Sequence, residues 1–311
     1  MSRPIETVAV TGANGFVGRR VVSMLSDAGL RVRALVRDAR SVQWNNSSVE
    51  AVQWDATQPE SAHLALVGVD AICHAAAFVP PDYSDSTHAR RCLEVNALGT
   101  LNLLEACVGQ RVRAFVHLSS GNIYEQRDTP VSEEDPIYPS HRASYYLASK
   151  VCAETWALHF LETGRLAACV LRPSAIYGPG MAHSGLVPTL MERLQHQQSV
   201  FVRDGGRFRS DLVYVDDVAR AASLALEKKA TGAFNIGSGR ATTSLELAQT
   251  LVSLLGCDPT LIDVEPAHSD TATQGFSALN IERARQSLGY VPSELRDGLA
   301  RMLALAYPTR S

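Results

Sequence analysis

The chain has few of the features that mark membrane, nucleic-acid or metal proteins. Its 311 residues contain no apolar run near the roughly 18 residues that a membrane helix needs. Lysine and arginine number 29 against 32 acidic residues, a net charge of −3, which argues against a basic nucleic-acid surface. The six cysteines form no C-x-x-C pair and the nine histidines no H-E-x-x-H motif. We therefore expect buried free thiols, no metal site, no membrane partner and no nucleic acid.

The start of the chain shows no targeting segment. Met1–Pro4 leads directly to the strand-like Thr7–Val10, so there is no room for a signal peptide. With the unpaired cysteines, this predicts a cytoplasmic protein. Apolar residues at 46% and charged residues at 20% predict a globular fold rather than a disordered chain.

Two different rhythms divide the chain. Up to Arg172, short apolar strand patterns alternate with helical patterns, which predicts an α/β fold with a doubly wound parallel sheet. Beyond Arg172 the chain becomes rich in proline and glycine and then mainly helical. We expect one domain at 1–172 plus about 211–236, and a smaller α/β domain at 173–210 and 237–311. The predicted strands are 7–10, 31–36, 49–53, 69–74, 112–118, 166–171, 199–202 and 211–215; the predicted helices are 15–28, 58–66, 86–107, 144–163, 185–197, 216–228, 243–256, 280–288 and 294–306.

A glycine-rich segment, Thr11–Gly18, follows the first predicted strand and opens the first predicted helix. Gly12 permits a tight turn, Gly15 lets the backbone approach a phosphate, and Gly18 lets the helix pack against the strand. A tight turn without a ligand is the alternative. The strand before the segment and the amphipathic pattern after it favour a pyrophosphate site at the helix N-terminus. The first domain is therefore predicted to be a Rossmann domain that binds a dinucleotide.

The ends of the next strands predict which dinucleotide binds. Val36 occupies the place where NAD-binding folds carry an acidic residue, and Arg37 follows it. Arg37 can pair with a 2′-phosphate, although an arginine balanced by Asp38 is also an ordinary surface pair. We expect NADP in preference to NAD. Asp55 is a candidate for the adenine edge or for a helix N-cap, and Ala75, Ala76 and Ala77 offer small residues beside the cofactor.

Tyr146 and Lys150 are one helical turn apart on a predicted helix. A phenol has a pKa of about 10. An ammonium about 4 Å away can contribute up to roughly 4 kcal/mol, or about three pKa units. This pairing predicts that Tyr146 acts as a general acid or base, whereas Tyr145 has no lysine four residues on. A solvated Tyr–Lys pair on a helix surface is the alternative.

The fifth predicted strand ends at two serines, Ser119 and Ser120. The carboxyl ends of parallel strands face the ligand crevice. Ser120 can therefore donate a hydrogen bond to a substrate oxygen and align it with Tyr146. A serine-rich turn that caps the strand is the alternative, and it fits Ser119 better than Ser120.

These segments together resemble the extended short-chain dehydrogenase/reductases, the NAD(P)-dependent epimerase/dehydratase family. The resemblance covers nearly the whole chain. It rests on the order of Thr11–Gly18, Ser119–Tyr124, Tyr146-x-x-x-Lys150, Arg172–Gly180, Tyr214–Val218, Phe234–Gly239 and Leu288–Pro292.

The resemblance implies a Ser–Tyr–Lys triad at Ser120, Tyr146 and Lys150, with the lysine also binding the nicotinamide ribose. It implies a small-molecule substrate in the C-terminal domain and a homodimer formed by helices near 92–107 and 146–162. Asn96 is expected to support the active site, or to be a structural cap. The further expected cofactor contacts are Phe16, Val17, Ala56, Asn96 and Pro173; the expected substrate contacts are Phe78, Ser120, Asn122, Tyr146, Ala175 and Arg209, within a pocket that also takes in residues up to Tyr83, the 125–143 loop and 175–185.

Departures from the family pattern limit the chemistry. Family members that dehydrate sugar nucleotides carry an Asp–Glu pair where this chain has Gly121 and Asn122, so dehydration is disfavoured. Nucleotide-sugar members hold the diphosphate with an asparagine and two arginines. The corresponding positions here are Ala175, Ser210 and the segment Ala267–Asp270; Arg207, Arg209 and His268 are the nearest substitutes.

Three functions remain open. The first is a nucleotide-sugar epimerase or 4-ketoreductase. The second is an NADPH-dependent reductase of a non-nucleotide carbonyl, similar to dihydroflavonol reductases or steroid dehydrogenases. The third is a non-catalytic NADP(H) sensor, which the presence of both Tyr146 and Lys150 makes the weakest of the three.

Overall fold

A computed structural model describes residues 4–137, 143–182, 185–267 and 275–306. Its centre is a seven-stranded parallel sheet in the order β10-β6-β5-β4-β1-β2-β3. The strand order reverses between β1 and β4, which is where ligands bind in doubly wound sheets. The strands of this sheet are β1 Thr7–Thr11, β2 Arg31–Val36, β3 Val49–Gln53, β4 Ala71–His74, β5 Ala114–Leu118, β6 Ala168–Pro173 and β10 Gly232–Ile236.

Helices cover both faces of this sheet. The central strands are buried on both sides, which is why their sequences read as short continuous apolar runs. One face packs against α1 and α7, and the other against α2, α4 and α5. The helices of the sheet layers are α1 Phe16–Asp27, α2 Pro59–Ala65, α3 Ala89–Cys92, α4 Gly99–Gly109, α5 Ser144–Glu162 and α7 Val215–Glu227; a π-helical segment, Leu93–Leu98, joins α3 to α4.

A second buried cluster forms a smaller C-terminal α/β lobe. Val187, Leu194, Leu247, Leu251 and Leu299 are at its centre. The lobe contains a three-stranded sheet, β11-β9-β7, and a two-stranded parallel pair, β12-β8. Its elements are β7 Ala175–Tyr177, α6 Leu186–Gln195, β8 Val200–Val202, β9 Arg209–Tyr214, β11 Ala241–Thr243, α8 Ser244–Leu255, β12 Ile262–Val264 and α10 Leu295–Ala306, while α9 Glu282–Leu288 packs near β10 of the large sheet.

Asp211 joins the segments that meet between the two sheets. Its buried carboxylate accepts hydrogen bonds from the backbone amides of Ser238, Gly239 and Leu279, at 2.7, 3.2 and 3.0 Å. Ser174 also donates its hydroxyl to this carboxylate, at 3.2 Å. Burial raises the pKa of Asp211 in spite of these donors. Asp211, next to the position of an expected phosphate-binding arginine at Ser210, therefore holds neighbouring segments of the fold together.

The predicted fold class is confirmed, and so is the alternation of strands and helices through residue 173. The sequence pattern does not predict β7, β10, β11 or β12. The assignment of domains at 1–172 plus about 211–236, and at 173–210 plus 237–311, stays a prediction. All six thiols are free and five of them are buried.

Candidate active site

One elongated cavity of about 570 Å³ lies at the carboxyl ends of the large sheet. Its walls come from the segments that follow β1, β2, β3, β4 and β5 and from the end of β6. Of the expected cofactor contacts, all but Asn96 line it. The lining residues are Gly12, Asn14–Gly18, Leu35–Arg37, Trp54–Ala56, Ala75–Val79, Arg91, Val95, Leu118, Ser119, Tyr146, Lys150, Pro173 and Ile176.

The glycine turn forms the floor of this cavity and fits the approach of a phosphate group. Gly12 has φ +62°, and a Cβ there would stand 2.8 Å from Cα of Ala76. A Cβ on Gly18 would stand 2.0 Å from the carbonyl oxygen of Gly12. Gly15 is exposed and serves as the N-cap of α1 without a side-chain hydrogen bond. The free amides at this helix start and the helix dipole favour an anion.

Two arginines and one carboxylate lie at the end of the cavity formed after β2 and β3. Arg37 is exposed there, and among the described residues it has no hydrogen bond or ion pair. Asp55 accepts hydrogen bonds from the amide and hydroxyl of Thr57, at 2.9 and 2.8 Å. These bonds lower the pKa of Asp55, and the charges of Arg91 and Arg37 lower it further. Asp55 thus makes a local turn and also lines the cavity.

Asn96 lies outside the cavity lining and holds one of its walls. Its Oδ1 accepts from the amide of Phe78 at 2.7 Å, and its Nδ2 donates to the carbonyl of Phe78 at 3.0 Å. Nδ2 also lies 3.0 Å from Oγ of Ser149 on α5. Through these bonds Asn96 fixes Phe78 relative to α5, the helix that carries Tyr146. Asn96 lies in a π-helical segment, a feature that often marks functional positions.

Tyr146 and Lys150 both reach the cavity from α5, but their electrostatics differ from the sequence expectation. Burial raises the pKa of Tyr146, with smaller contributions from Tyr83 and Cys92. The ammonium of Lys150 donates a hydrogen bond to the carbonyl of Leu118, with Nζ 2.6 Å from the oxygen. The lowering expected from the Tyr146–Lys150 pair is not found, because burial sets the direction of the change and the charge of Lys150 is not among its causes. The rings of Tyr83 and Tyr146 meet edge to face, with centroids 5.6 Å apart.

Burial also lowers the pKa of Lys150 itself, to about 8, although the nearby Glu154 opposes this change. Glu154 is engaged with Arg172, whose Nε donates to Oε1 at 2.9 Å, and both side chains are buried. Behind Lys150, His74 bonds to Thr11 and Thr100, and burial lowers the pKa of His74 to about 3. Glu154 and Arg172 thus pair with each other, and His74 is neutral. Lys150 is the residue of this group whose positive charge faces the cavity.

The two serines after β5 occupy different surroundings. Ser119 lines the cavity, and its buried hydroxyl has no hydrogen-bond partner among the described residues. Ser120 is half-buried, is absent from the described lining, and accepts the amide of Asn122 at 3.2 Å. That bond leaves the Ser120 hydroxyl proton free to donate. The role predicted for Ser120 is untested.

The remaining expected substrate contacts are not brought into this cavity. Ala175 is in β7 beside Leu212, and Asn122 is half-buried behind Ser120. Arg209 pairs with Asp128 beside a separate cavity of about 160 Å³. Pro139 of the 125–143 loop and His268–Asp270 lie outside the described residues. Ile176, from the expected 175–185 segment, lines the main cavity; Trp54, Arg91 and Val95 also line it but were not predicted, because only the tertiary fold brings them there.

Comparison with known proteins gives the family. Residues 8–237 match the model of the NAD dependent epimerase/dehydratase family. The chain belongs to this family. It is an NAD(P)-dependent enzyme of the epimerase/dehydratase type, as the sequence resemblance predicts.

The relatives have several activities. The chain is 30% identical to a UDP-glucose 4-epimerase of Mycolicibacterium smegmatis, over 94% of this chain and 96% of the relative. It is also 30% identical to a 2-alkyl-3-oxoalkanoate reductase of Stenotrophomonas maltophilia, over 80% of this chain and 76% of the relative. The solved structure of MoeE5 in complex with UDP-glucose and NAD superposes with a TM-score of 0.83 at 28% identity, covering 98% of this chain and 100% of that one. Among the described residues, no helix is long and apolar enough to cross a membrane, and no cluster of ligands suits a metal.

Proposed function

We propose that the protein oxidises or reduces a ring hydroxyl or ketone of a nucleotide sugar, as a 4-epimerase or 4-ketoreductase, with NADP preferred over NAD. The observation that carries this proposal is that Tyr146 and Lys150 share one cavity with the glycine turn at Gly12–Gly18. The UDP-glucose 4-epimerase relative, and the UDP-glucose and NAD held by MoeE5, support a nucleotide-sugar substrate.

In the proposed mechanism, Tyr146 moves the proton of the reacting oxygen. The dinucleotide, when bound, supplies hydride chemistry. Gly12 and Gly15 would hold its pyrophosphate, Arg37 its 2′-phosphate, and Lys150 its nicotinamide ribose. Because burial keeps Tyr146 protonated, its phenol is poised to donate a proton to a substrate carbonyl. In the reverse direction, loss of the Tyr146 proton requires the charge of Lys150 to offset the effect of burial on the phenol, and Ser120 donates a hydrogen bond to the substrate oxygen.

Elimination of water needs an acid–base pair beside Ser120, and the structure leaves too little room there for an acidic side chain at Gly121. A Cβ on Gly121 would stand 2.7 Å from Cδ1 of Leu279 and 3.1 Å from the carbonyl of Pro173. An acidic side chain cannot enter there unless buried neighbours move. Asn122 supplies an amide where the second acid of the dehydrating members would stand. The proposed chemistry is therefore hydride and proton transfer alone.

Reduction of a non-nucleotide carbonyl is the second candidate. Ser210 is buried and uncharged, and Arg209 is paired with Asp128, so neither position offers an unpaired cation for a diphosphate. The relative named 2-alkyl-3-oxoalkanoate reductase supports this alternative. A non-catalytic sensor is the third candidate, and the presence of both Tyr146 and Lys150 in the cavity argues against it.

Replacing Tyr146 by phenylalanine tests the enzymatic proposal. We expect kcat to fall at least a hundredfold, the lower end of general acid–base catalysis, with UDP-, dTDP- and GDP-hexoses as substrates. Tyr145→Phe is the matched control, because the Tyr145 hydroxyl donates to the carbonyls of Asp82 and Asp85 instead. If Tyr146→Phe were as active as Tyr145→Phe, the proposal that Tyr146 is the catalytic acid or base would be rejected. Turnover of simple ketones with NADPH, but of no hexose nucleotide, would select the second candidate.

The two serine variants test the third member of the triad. We expect Ser120→Ala to lower kcat about tenfold or more, because it removes the hydroxyl proposed to donate a hydrogen bond to the substrate oxygen. Ser119→Ala should change kcat less, since the Ser119 hydroxyl can be removed without leaving a described partner unpaired. Steady-state kinetics on both variants decide the matter, and a larger loss for Ser119→Ala would transfer the role to that residue.

We also propose a homodimer that pairs the surfaces of α3–α4 and α5. Leu93 and Leu98, in the π-helical segment between α3 and α4, are 53% and 50% exposed, and Trp156 on α5 is 37% exposed. Apolar side chains of this size on neighbouring helices favour burial against a second copy.

A further inference from the structure

We propose that Arg91 is a second specificity-determining cation at the adenosine end of the cavity, and that it forms with Arg37 a two-arginine clamp for the 2′-phosphate. This inference rests on the proposed NADP preference and extends it to a residue of a different element. Arg37 follows β2, whereas Arg91 comes from α3. Both line the same cavity.

The charges of the described lining favour an anion at this end. Four of the described lining residues are charged at neutral pH: Arg37, Asp55, Arg91 and Lys150. Lys150 bonds to the end of β5, which is three strands from β2 in the sheet, or about 14 Å at the usual strand spacing. The adenosine end therefore carries two positive charges and one negative charge.

The guanidinium groups of Arg91 and Arg37 both lie near the carboxylate of Asp55. Its pKa is lowered by the charge of Arg91 and then by that of Arg37, after the larger effect of its bonds to Thr57. The carboxylate thus lies within electrostatic reach of both cations, while its own hydrogen bonds go to Thr57. One negative charge cannot neutralise two guanidinium groups, and a bound 2′-phosphate would supply the missing charge.

The other partner of Arg91 is weak and shared. Nη1 of Arg91 is 3.9 Å from Glu94, and Nη1 of Arg90 is also 3.9 Å from Glu94. An exposed pair at that distance contributes little. Arg91 is 43% exposed and Arg90 is 87% exposed. The two arginines therefore share a partner and a helix, but only Arg91 lines the cavity.

The chain thus offers a matched control for the clamp. Binding of 2′,5′-ADP and of 5′-AMP to the purified full-length protein would be measured by titration calorimetry at two salt concentrations. We expect wild type to bind 2′,5′-ADP at least tenfold tighter than 5′-AMP. Arg91→Ala should weaken 2′,5′-ADP at least tenfold and 5′-AMP less than twofold. Arg90→Ala should change both less than twofold.

Each other outcome has a defined meaning. Equal loss of both ligands in Arg91→Ala would overturn the clamp and indicate that the guanidinium stacks on adenine. No loss in Arg91→Ala, with a selective loss in Arg37→Ala, would overturn the clamp and leave the NADP preference intact. A wild type that does not discriminate between the ligands would overturn both. Arg91→Lys guards against misfolding, since it keeps the charge and should retain most of the discrimination.

Discussion

Lys150 shows at the scale of one residue how the site costs stability. Lys150 is 3% exposed, and burial lowers its pKa from 10.5 to about 8. The unfolded chain therefore binds more protons than the folded protein between these two values. As the pH rises through about 8, the buried ammonium of the folded protein loses its proton and the folded state becomes more stable. This gain is complete above pH 10.5, where the lysine is also neutral in the unfolded chain. The difference corresponds to about 3 kcal/mol.

The comparison of wild type with Lys150→Met measures this cost. Between pH 7 and pH 10, we expect the free energy of unfolding of wild type to rise by about 2–3 kcal/mol relative to the variant. Urea unfolding at intervals over this range gives the difference. The exposed Lys228→Met is the reference for removing a surface charge. A difference that stays constant over the range would show that Lys150 is not desolvated.

At the same scale, sequence reasoning found the proposed catalytic groups but not their environment. Tyr146 and Lys150 are predictable because an i, i+4 pair depends only on the helix. Arg91 and Trp54 are not, since each reads as an ordinary helical or loop position until the tertiary fold brings it to the cavity. The pKa of Tyr146 could not be predicted from spacing, because burial decides its direction.

At the scale of elements, the helical run from Ala89 to Gly109 connects the cavity to α5 through Asn96. Removing its amide leaves the backbone groups of Phe78 without their partners. We expect Asn96→Ala to lower the free energy of unfolding by about 2–3 kcal/mol. It should also weaken dinucleotide binding, because Phe78 lines the cavity. Denaturant unfolding and fluorescence titration measure the two effects.

Asn102→Ala provides the comparison on the same helical run. Asn102 makes one bond, from Nδ2 to the carbonyl of Ala56 at 3.2 Å, and it is half-buried. We expect a loss of about 1 kcal/mol or less for this variant. Equal losses for Asn96→Ala and Asn102→Ala would mean that Asn96 holds no special position.

The elements that the sequence predicts are those whose pattern is local. β1 to β6 are short strand patterns bounded by turn residues, and α1 has a regular apolar face that buries Val21, Val22 and Leu25. In contrast, β7, β11 and β12 have three residues each and were not predicted. β8 is as short but was predicted, since its three residues, Val200–Val202, are all apolar with two β-branched valines. β10 begins at Gly232, with φ +88°, and its place beside β6 depends on a long-range return of the chain that no local pattern encodes.

At the scale of the whole molecule, the predicted dimer would bury the outer face of α5, the helix that carries the proposed catalytic pair. Tyr146 and Lys150 point from α5 into the cavity, while Trp156 on the same helix is exposed. A second copy packed on Trp156 and Leu98 would restrict the motion of α5. The dimer would thus support the geometry of the site without contributing a residue to it.

Charged substitutions on this face test the assembly. We expect wild type to have twice the chain mass of 33.6 kDa by size exclusion with light scattering, and Leu98→Glu combined with Trp156→Glu to have the mass of one chain. Burying two uncompensated carboxylates in an apolar interface costs several kcal/mol. Leu64→Glu on α2, which is 77% exposed and outside the proposed interface, should leave the dimer intact. A wild type with the mass of one chain, or dissociation caused equally by Leu64→Glu, would reject this interface.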